Sequence, residues 1–143
     1  MPKKVVIAGT FDIIHPGHLC FIQNAAKYGD VYVIVARDVN VQRIKGSPPI
    51  VPEEQRRIVV EGLKGVKQAI LGNENDDLTD KVVELQPDIV ALGPNQNFDE
   101  EKLAQNLKAK GLKTRVVRIT EFLNNIPLYS SSSIKNKIKN NKT

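Results

Sequence analysis

The sequence predicts an α/β fold, an open, doubly wound parallel sheet of five strands with helices between them. Apolar, β-branched runs alternate along the 143 residues with segments of helical periodicity, separated by short joints. Such continuously apolar strands are typical of parallel sheets that helices cover on both faces. We find no internal repeat and no interdomain linker, so residues 1–143 are interpreted as a single domain.

The first half of the chain supplies two strands, each followed by a helix. Lys4 to Ala8 is apolar and Asp30 to Ala36 is a β-branched run, so both are predicted strands. A helix is expected from Pro16 to Tyr28 and a short one from Asp38 to Arg43. Residues 45–49, K-G-S-P-P, form a loop because glycine and proline interrupt regular structure.

The helix after this loop has clear start signals. Pro52 is tolerated in a first turn, and the two glutamates after it oppose the positive end of the helix dipole. Ile58, Val59 and Leu63 are expected to form its buried face.

The second half continues the alternation of strands and helices. Strands are predicted at residues 68–71, 89–92 and 115–117, and helices from the Asp76–Asp77 pair to Leu85, from the Asp99 cap to Lys110, and from the Ser130–Ser133 cap to Asn140.

Composition narrows the function classes. A net charge of +5 and a pI near 9.4 suit an anionic partner, either a nucleotide or a nucleic acid. The few aromatic residues do not alternate with basic ones as in single-strand binders, so no nucleic acid is expected. No apolar run has the length of a membrane span and no leader is visible, which predicts a cytoplasmic protein without membrane contact.

The strongest functional signal follows the first strand. Residues 9–18, G-T-F-D-I-I-H-P-G-H, lead into the first helix, whose free N–H groups are suited to phosphate. In open parallel sheets, ligands bind at the carboxyl ends of the strands, where this stretch lies. Its two glycines have seven residues between them, so it is neither a dinucleotide-binding fingerprint nor a P-loop. It predicts another kind of polyphosphate site.

His15 and His18 are spaced to project from nearly the same face of the helix start. Three uses are open: a metal site with Asp12 as third ligand, general acid–base catalysis, or hydrogen bonding to a pentacovalent phosphorus. The chain has no third histidine for a metal site. Attack by a phosphate oxygen on a phosphoanhydride requires no proton transfer. We therefore favour stabilisation of the transition state.

At seven defined positions this stretch resembles the G-T-F-D-x-x-H-x-G-H signature of the cytidylyltransferase-like nucleotidyltransferases. These Rossmann-like proteins transfer a nucleoside monophosphate from a nucleoside triphosphate to a phosphate. The resemblance implies that His15 and His18 bind the α- and β-phosphates. It implies that Thr10 and Phe11 lie against the phosphates and the nucleoside, and that Lys45 is a mobile basic residue closing over them. A solvated loop lysine remains the alternative for Lys45.

The site residues implied by this resemblance form two groups. The expected catalytic residues are His15, His18, Lys45 and Arg118, and the expected nucleotide-binding residues are Gly9, Thr10, Phe11, His15, Pro16, Gly17, His18, Asn95, Phe122, Ser130 and Ser131. Arg56 also matches a family arginine, and it is expected to support the substrate side or to pack its helix, without a catalytic step.

Within the family, the chain is most similar to the archaeal FAD synthases. The similar stretches are V-A-R-D at 35–38, K-G at 45–46, P-E-E-Q-R-R at 52–57 and L-G-P at 92–94. Asn95 departs from the aspartate expected there, which leaves ATP or CTP open as the donor. Bacterial glycerol-3-phosphate cytidylyltransferase shares the histidine stretch, but its G-D-D-W and G-I-S-T patterns are absent or broken here.

The expected reaction is therefore AMP transfer from ATP to FMN, with Mg²⁺ carried by the triphosphate. The family further implies a homodimer. Two alternatives stay open: glycerol-3-phosphate cytidylyltransferase activity, and a non-catalytic nucleotide- or nucleic-acid-binding protein. The long, partly apolar segment 119–129 would cover a planar ring or pack the last helix, and Ser130 and Ser131 begin a helix suited to a phosphate.

Overall fold

The computed structural model describes residues 2–75, 78–94, 96, 98–121, 127–128 and 130–140. The strands are β1 (Lys4–Gly9), β2 (Asp30–Val35), β3 (Val66–Leu71), β4 (Ile89–Leu92) and β5 (Arg115–Arg118). The helices are α1 (Pro16–Ala26), α2 (Asp38–Lys45), α3 (Glu53–Glu61), α4 (Leu78–Leu85), α5 (Glu100–Ala109) and α6 (Ser131–Asn140). None of these described helices is both long and apolar enough to cross a membrane.

The strands form one parallel sheet in the order β3-β2-β1-β4-β5. The chain moves outward from β1 through β2 to β3, then crosses back so that β4 lies on the other side of β1. The topological switch point is therefore at the carboxyl end of β1, between the connections that leave β1 and β4. The predicted doubly wound, five-stranded parallel sheet is confirmed.

Both faces of the sheet are buried. Along β1, Val5 and Ile7 belong to one apolar core and Val6 to the other, because successive side chains of a strand point to opposite faces. Val31 and Val33 of β2 extend the first core. This two-sided burial explains why the strands are continuous apolar runs and not alternating ones.

The prediction of which face of α3 is buried is wrong. Ile58 and Val59 of α3 are 57% and 48% exposed, whereas Val60 and Arg56, one turn apart, face inward. Arg56 turns the helix this way because its buried guanidinium donates to the carbonyl of Thr10 and to Asp38. Leu63 does pack against the core, but beyond the end of the helix. Other element bounds differ from prediction by about two residues, as fraying ends do.

Candidate active site

The stretch after β1 begins with a close approach between Gly9 and Phe11. A Cβ on Gly9 would lie 2.8 Å from Cε2 of Phe11, so a larger residue would displace that ring. Phe11 is buried and has a left-handed backbone conformation, φ +53°, which a phenylalanine adopts only at a cost of about 1–2 kcal/mol. The chain is thereby turned sharply between the strand and α1.

The two histidines close the N-terminus of α1 together. Nδ1 of His15 accepts from the N–H of Gly17 at 3.0 Å, and Nδ1 of His18 accepts from the N–H of His15 at 3.2 Å. The ring centroids are 3.9 Å apart. A neutral imidazole whose Nδ1 accepts a hydrogen bond carries its proton on Nε2. Each ring therefore keeps an Nε2–H donor that the helix cap does not use.

Both histidines are neutral at physiological pH. Burial lowers the pKa of His15, and burial together with the neighbouring His15 lowers the pKa of His18 to about 4. Neutral rings are poor general acids at pH 7 but remain good hydrogen-bond donors. The pair therefore fits the third use considered above, donation to phosphate oxygens.

A cavity of about 670 Å³ opens in front of these donors at the carboxyl edge of the sheet. Its walls come from the histidine stretch, the loop after α2, the loop after β4 and the start of α6. Among the predicted site residues, it is lined by Gly9, Thr10, Phe11, His15, Gly17, His18, Lys45, Ser130 and Ser131. Pro16 occupies the first turn of α1 but is not in the wall. Asn95 and Phe122 lie outside the described residues.

Lys45 is the last residue of α2 and lies at the cavity rim. Gly46 ends the helix in a left-handed conformation, φ +84°, and the exposed residues 45–48 lead away from it. The side chain is thus exposed and borders the cavity, but its contact with phosphates stays a prediction.

Arg118 contacts the loop that follows β4. It pairs in register with Leu92 of β4 and so emerges beside the loop that follows that strand. Its guanidinium donates to the carbonyl oxygens of Gly93, Gln96 and Phe98 at 2.7–2.8 Å, and its Nε donates to Glu100. Arg118 does not line the cavity. In this structure it holds the loop in place, and a catalytic role for it stays a prediction.

Sequence reasoning missed Gln96. Its Oε1 accepts from the N–H of Gly93 at 2.8 Å, and its Nε2 donates to the carbonyl of Ala8 at 2.6 Å. The side chain thus fastens the loop after β4 to the end of β1. The partner is 88 positions away in sequence, so no local pattern signals this contact.

Asp12 and Lys135 form an ion pair at the cavity. Asp12 accepts from the N–H groups of Ile50 and Val51 and from Nζ of Lys135, so hydrogen-bond donors occupy its two oxygens where a metal ion was considered. Lys135, on α6, lines the cavity. In the part of the chain that the structure describes, no three His, Cys, Asp or Glu side chains converge as metal ligands would.

Known proteins share both the sequence and the fold. The sequence profile of the cytidylyltransferase-like family matches residues 6–137. An FAD synthase of Ferroglobus placidus is 56% identical over 119 residues, 82% of this chain and 76% of that protein. An FAD synthase of Methanocella paludicola is 47% identical over 137 residues, 95% of this chain and 96% of that protein.

Two solved structures resemble the fold. A lipopolysaccharide core biosynthesis protein from Thermoplasma volcanium superposes with a TM-score of 0.79 at 37% identity, covering 87% of this chain and 100% of that one. Pantothenate synthetase from Thermus thermophilus superposes with a TM-score of 0.58 at 14% identity, covering 91% and 60%, and supports the fold alone. The match over residues 6–137, together with relatives near 50% identity, places this chain in the cytidylyltransferase-like family.

Proposed function

We propose that this protein is an FAD synthase, which transfers AMP from ATP to FMN and releases pyrophosphate. The observation that carries the proposal is the pair of Nε2–H donors, on neutral imidazoles at a helix N-terminus, facing a cavity at the switch point of the sheet. FAD synthase is also the name of the relatives that are 41–56% identical over most of the chain. The family membership supports nucleotidyl transfer, and these relatives support FMN as the acceptor.

The proposed chemistry matches the protonation of the histidines. A phosphate oxygen of FMN attacks the α-phosphorus of ATP, a new P–O bond forms, and the bond to the bridging oxygen of the β-phosphate breaks. Pyrophosphate leaves with the electron pair, so no proton must be transferred. Charge develops on the oxygens of the α- and β-phosphates, where fixed N–H donors stabilise the transition state. His15 and His18 supply two such donors, and the start of α1 supplies its helix dipole.

Two other parts of the cavity wall, Lys45 and the start of α6, suit the triphosphate of ATP and the phosphate of FMN. The family resemblance implies that Lys45, which lines the cavity, neutralises the triphosphate. Ser130 and Ser131 line the cavity at the start of α6, and Ser130 Oγ accepts from the N–H of Ser133 as a helix cap. This helix start is suited to the phosphate of FMN.

ATP enters the proposed reaction as its Mg²⁺ complex. Mg²⁺ in phosphoryl-transfer sites is held mainly by phosphates and water, with one or two carboxylates from the protein. Among the residues that the structure describes, two carboxylates border the cavity: Asp12, whose oxygens accept from other groups, and the exposed Glu121. This sparse donor set fits a metal that arrives with its nucleotide.

Product analysis tests the proposed activity. The purified protein is mixed with FMN or glycerol 3-phosphate, each with ATP or CTP and Mg²⁺, and the products are separated by chromatography. We expect FAD and pyrophosphate from FMN and ATP. Formation of CDP-glycerol alone would replace the proposal with the cytidylyltransferase alternative. Absence of a flavin dinucleotide from every mixture would also contradict it.

We also propose that the enzyme is a cytoplasmic homodimer. The outer surfaces of α2 and α3, whose starts are joined by the Arg37–Glu53 ion pair, expose Val39, Ile44 and Ile58. Large exposed aliphatic side chains are candidates for an interface between two copies of the chain. Light scattering should give the mass of a dimer for the wild type and of a monomer for Ile58→Glu. Ile138→Glu, at an isoleucine that is 67% exposed on α6, is the matched control that should remain dimeric.

A further inference from the structure

Three segments of the cavity wall meet at the side chain of Asp12. Its Oδ2 accepts from the N–H of Ile50 at 2.9 Å and from Nζ of Lys135 at 2.6 Å, and its Oδ1 accepts from the N–H of Val51 at 2.8 Å. The carboxylate is only 4% exposed. It belongs to the histidine stretch, its main-chain partners end the loop that begins at Lys45, and Lys135 lies in α6.

The loop between α2 and α3 depends on this carboxylate at one end. Asp12 takes both N–H groups at Ile50 and Val51, while Arg56 donates to the carbonyl of Val51 at 2.8 Å. The side chain of Ile50 is 67% exposed and provides little packing. The end of the loop that follows Lys45 is therefore held by hydrogen bonds to Asp12 and Arg56, to which the exposed side chain of Ile50 adds little.

The last helix is also attached by polar contacts. No described residue of α6 is buried, so this helix has no apolar core contact comparable with that of α1. Ser131 Oγ donates to the carbonyl of Ile13 at 3.1 Å, and Lys135 pairs with Asp12 one turn further on. Both contacts fasten the serine-bearing wall to the histidine stretch.

The electrostatics favour an ionised Asp12. Burial by itself would raise the pKa of Asp12, but the hydrogen bond from Lys135 and those from Ile50 and Val51 outweigh it and leave the pKa below its usual value. A negative charge is thus held beneath a cavity that is to receive anions. Lys135, 39% exposed at its side chain, compensates that charge on the cavity side.

We propose that Asp12 is a positioning residue, which assembles the three walls of the cavity through Lys135 and the main chain of Ile50 and Val51. It does so without touching the reacting atoms. The proposal rests on the proposed FAD synthase activity for its kinetic consequence, but its structural consequence holds in the ligand-free protein.

Amide hydrogen exchange in the ligand-free protein tests the structural part. In Asp12→Asn, one amide oxygen must replace two carboxylate oxygens, so the N–H groups of Ile50 and Val51 lose protection. We expect their exchange to accelerate at least about tenfold, while amides in β1 and β2 stay protected. Unchanged exchange at both residues in a folded variant would overturn the proposal, whether or not the protein makes FAD.

Kinetics of Lys135 variants test the functional part. We expect Lys135→Met to raise KM for FMN or ATP about tenfold with a smaller change in kcat, and Lys135→Arg to restore most of the loss. In the double variant Asp12→Asn/Lys135→Met, the loss of kcat/KM should not exceed that of the more damaging single variant, because the effects of residues that act together are not additive. Lys137→Met, exposed on the same helix, is the matched control and should behave as wild type.

Two kinetic outcomes would contradict the assignment. If the losses of kcat/KM in the two single variants add up in the double variant, Asp12 and Lys135 act separately. A higher Mg²⁺ requirement in Asp12→Asn, with normal exchange at Ile50 and Val51, would make Asp12 a metal ligand instead. If the wild type makes no FAD, the proposed function fails while the exchange experiment still decides whether Asp12 joins the walls.

Discussion

The loops that follow β1 and β4 lie side by side at the carboxyl edge of the sheet, but they are held in different ways. The start of α1 is capped locally, since His15 and His18 accept from main-chain N–H groups two and three positions away. The loop that follows β4 is held mainly by distant partners, through Arg118 and through the bond from Gln96 to Ala8. A locally capped helix start suits the donors for the common chemistry, and a loop held by distant partners can vary with the substrate.

Removing one histidine tests the locally capped helix start most severely. His18→Ala should lower kcat by about 10²–10³-fold, the usual cost of losing one preorganised donor to a developing charge. His18→Asn is the matched variant, because its Oδ1 can still accept from the N–H of His15 while its shorter side chain places no donor at the position of Nε2. Steady-state kinetics should show a similar loss in both variants. Near-normal turnover in His18→Asn would exclude Nε2 of His18 as a catalytic donor.

The same helix start should make stability depend on pH. The folded protein keeps His18 neutral down to about pH 4, whereas an unfolded chain protonates histidine near pH 6.5. Between these values the unfolded state binds more protons, so stability falls as the pH is lowered. Urea unfolding at pH 4.5 should give a free energy roughly 2 kcal/mol below that at pH 7.

A matched variant isolates the contribution of His18 to the pH dependence of stability. His18→Asn has no group that titrates there, so it should lose most of the difference between pH 7 and pH 4.5. Ionised Asp12, with its lowered pKa, contributes stability that is lost only at more acidic pH. An unchanged pH dependence in His18→Asn would show that His18 is not held neutral by the fold.

The loop that follows β4 should respond differently to mutation. Arg118→Met removes donors to three loop carbonyls, so we expect KM for the nucleotide to rise about tenfold while kcat changes less. Lys113→Met, exposed just before β5, is the control that should match the wild type. A loss confined to kcat would instead support the predicted contact between Arg118 and the phosphates.

The parallel sheet and the position of the two histidines follow from local sequence. Continuous apolar runs predict buried parallel strands, and the alternation with helices predicts the doubly wound sheet. The spacing of His15, Gly17 and His18 places the histidines at a helix start. These features depend on residues close together in the chain, where periodicity and capping rules apply.

Tertiary structure decided which residues far apart in the sequence contact one another. The sheet register brings Arg118 beside the loop after β4 and away from the cavity wall. Folding also places Lys135 on Asp12, 123 positions earlier, and turns α3 so that Arg56 is inside and Ile58 outside. Such contacts depend on the summed geometry of several packed elements, and no local pattern encodes which charged side chain will meet which partner. The sequence alone therefore determined that two histidines stand at a helix start after the first strand, and only the packed fold decided how the walls around them are held.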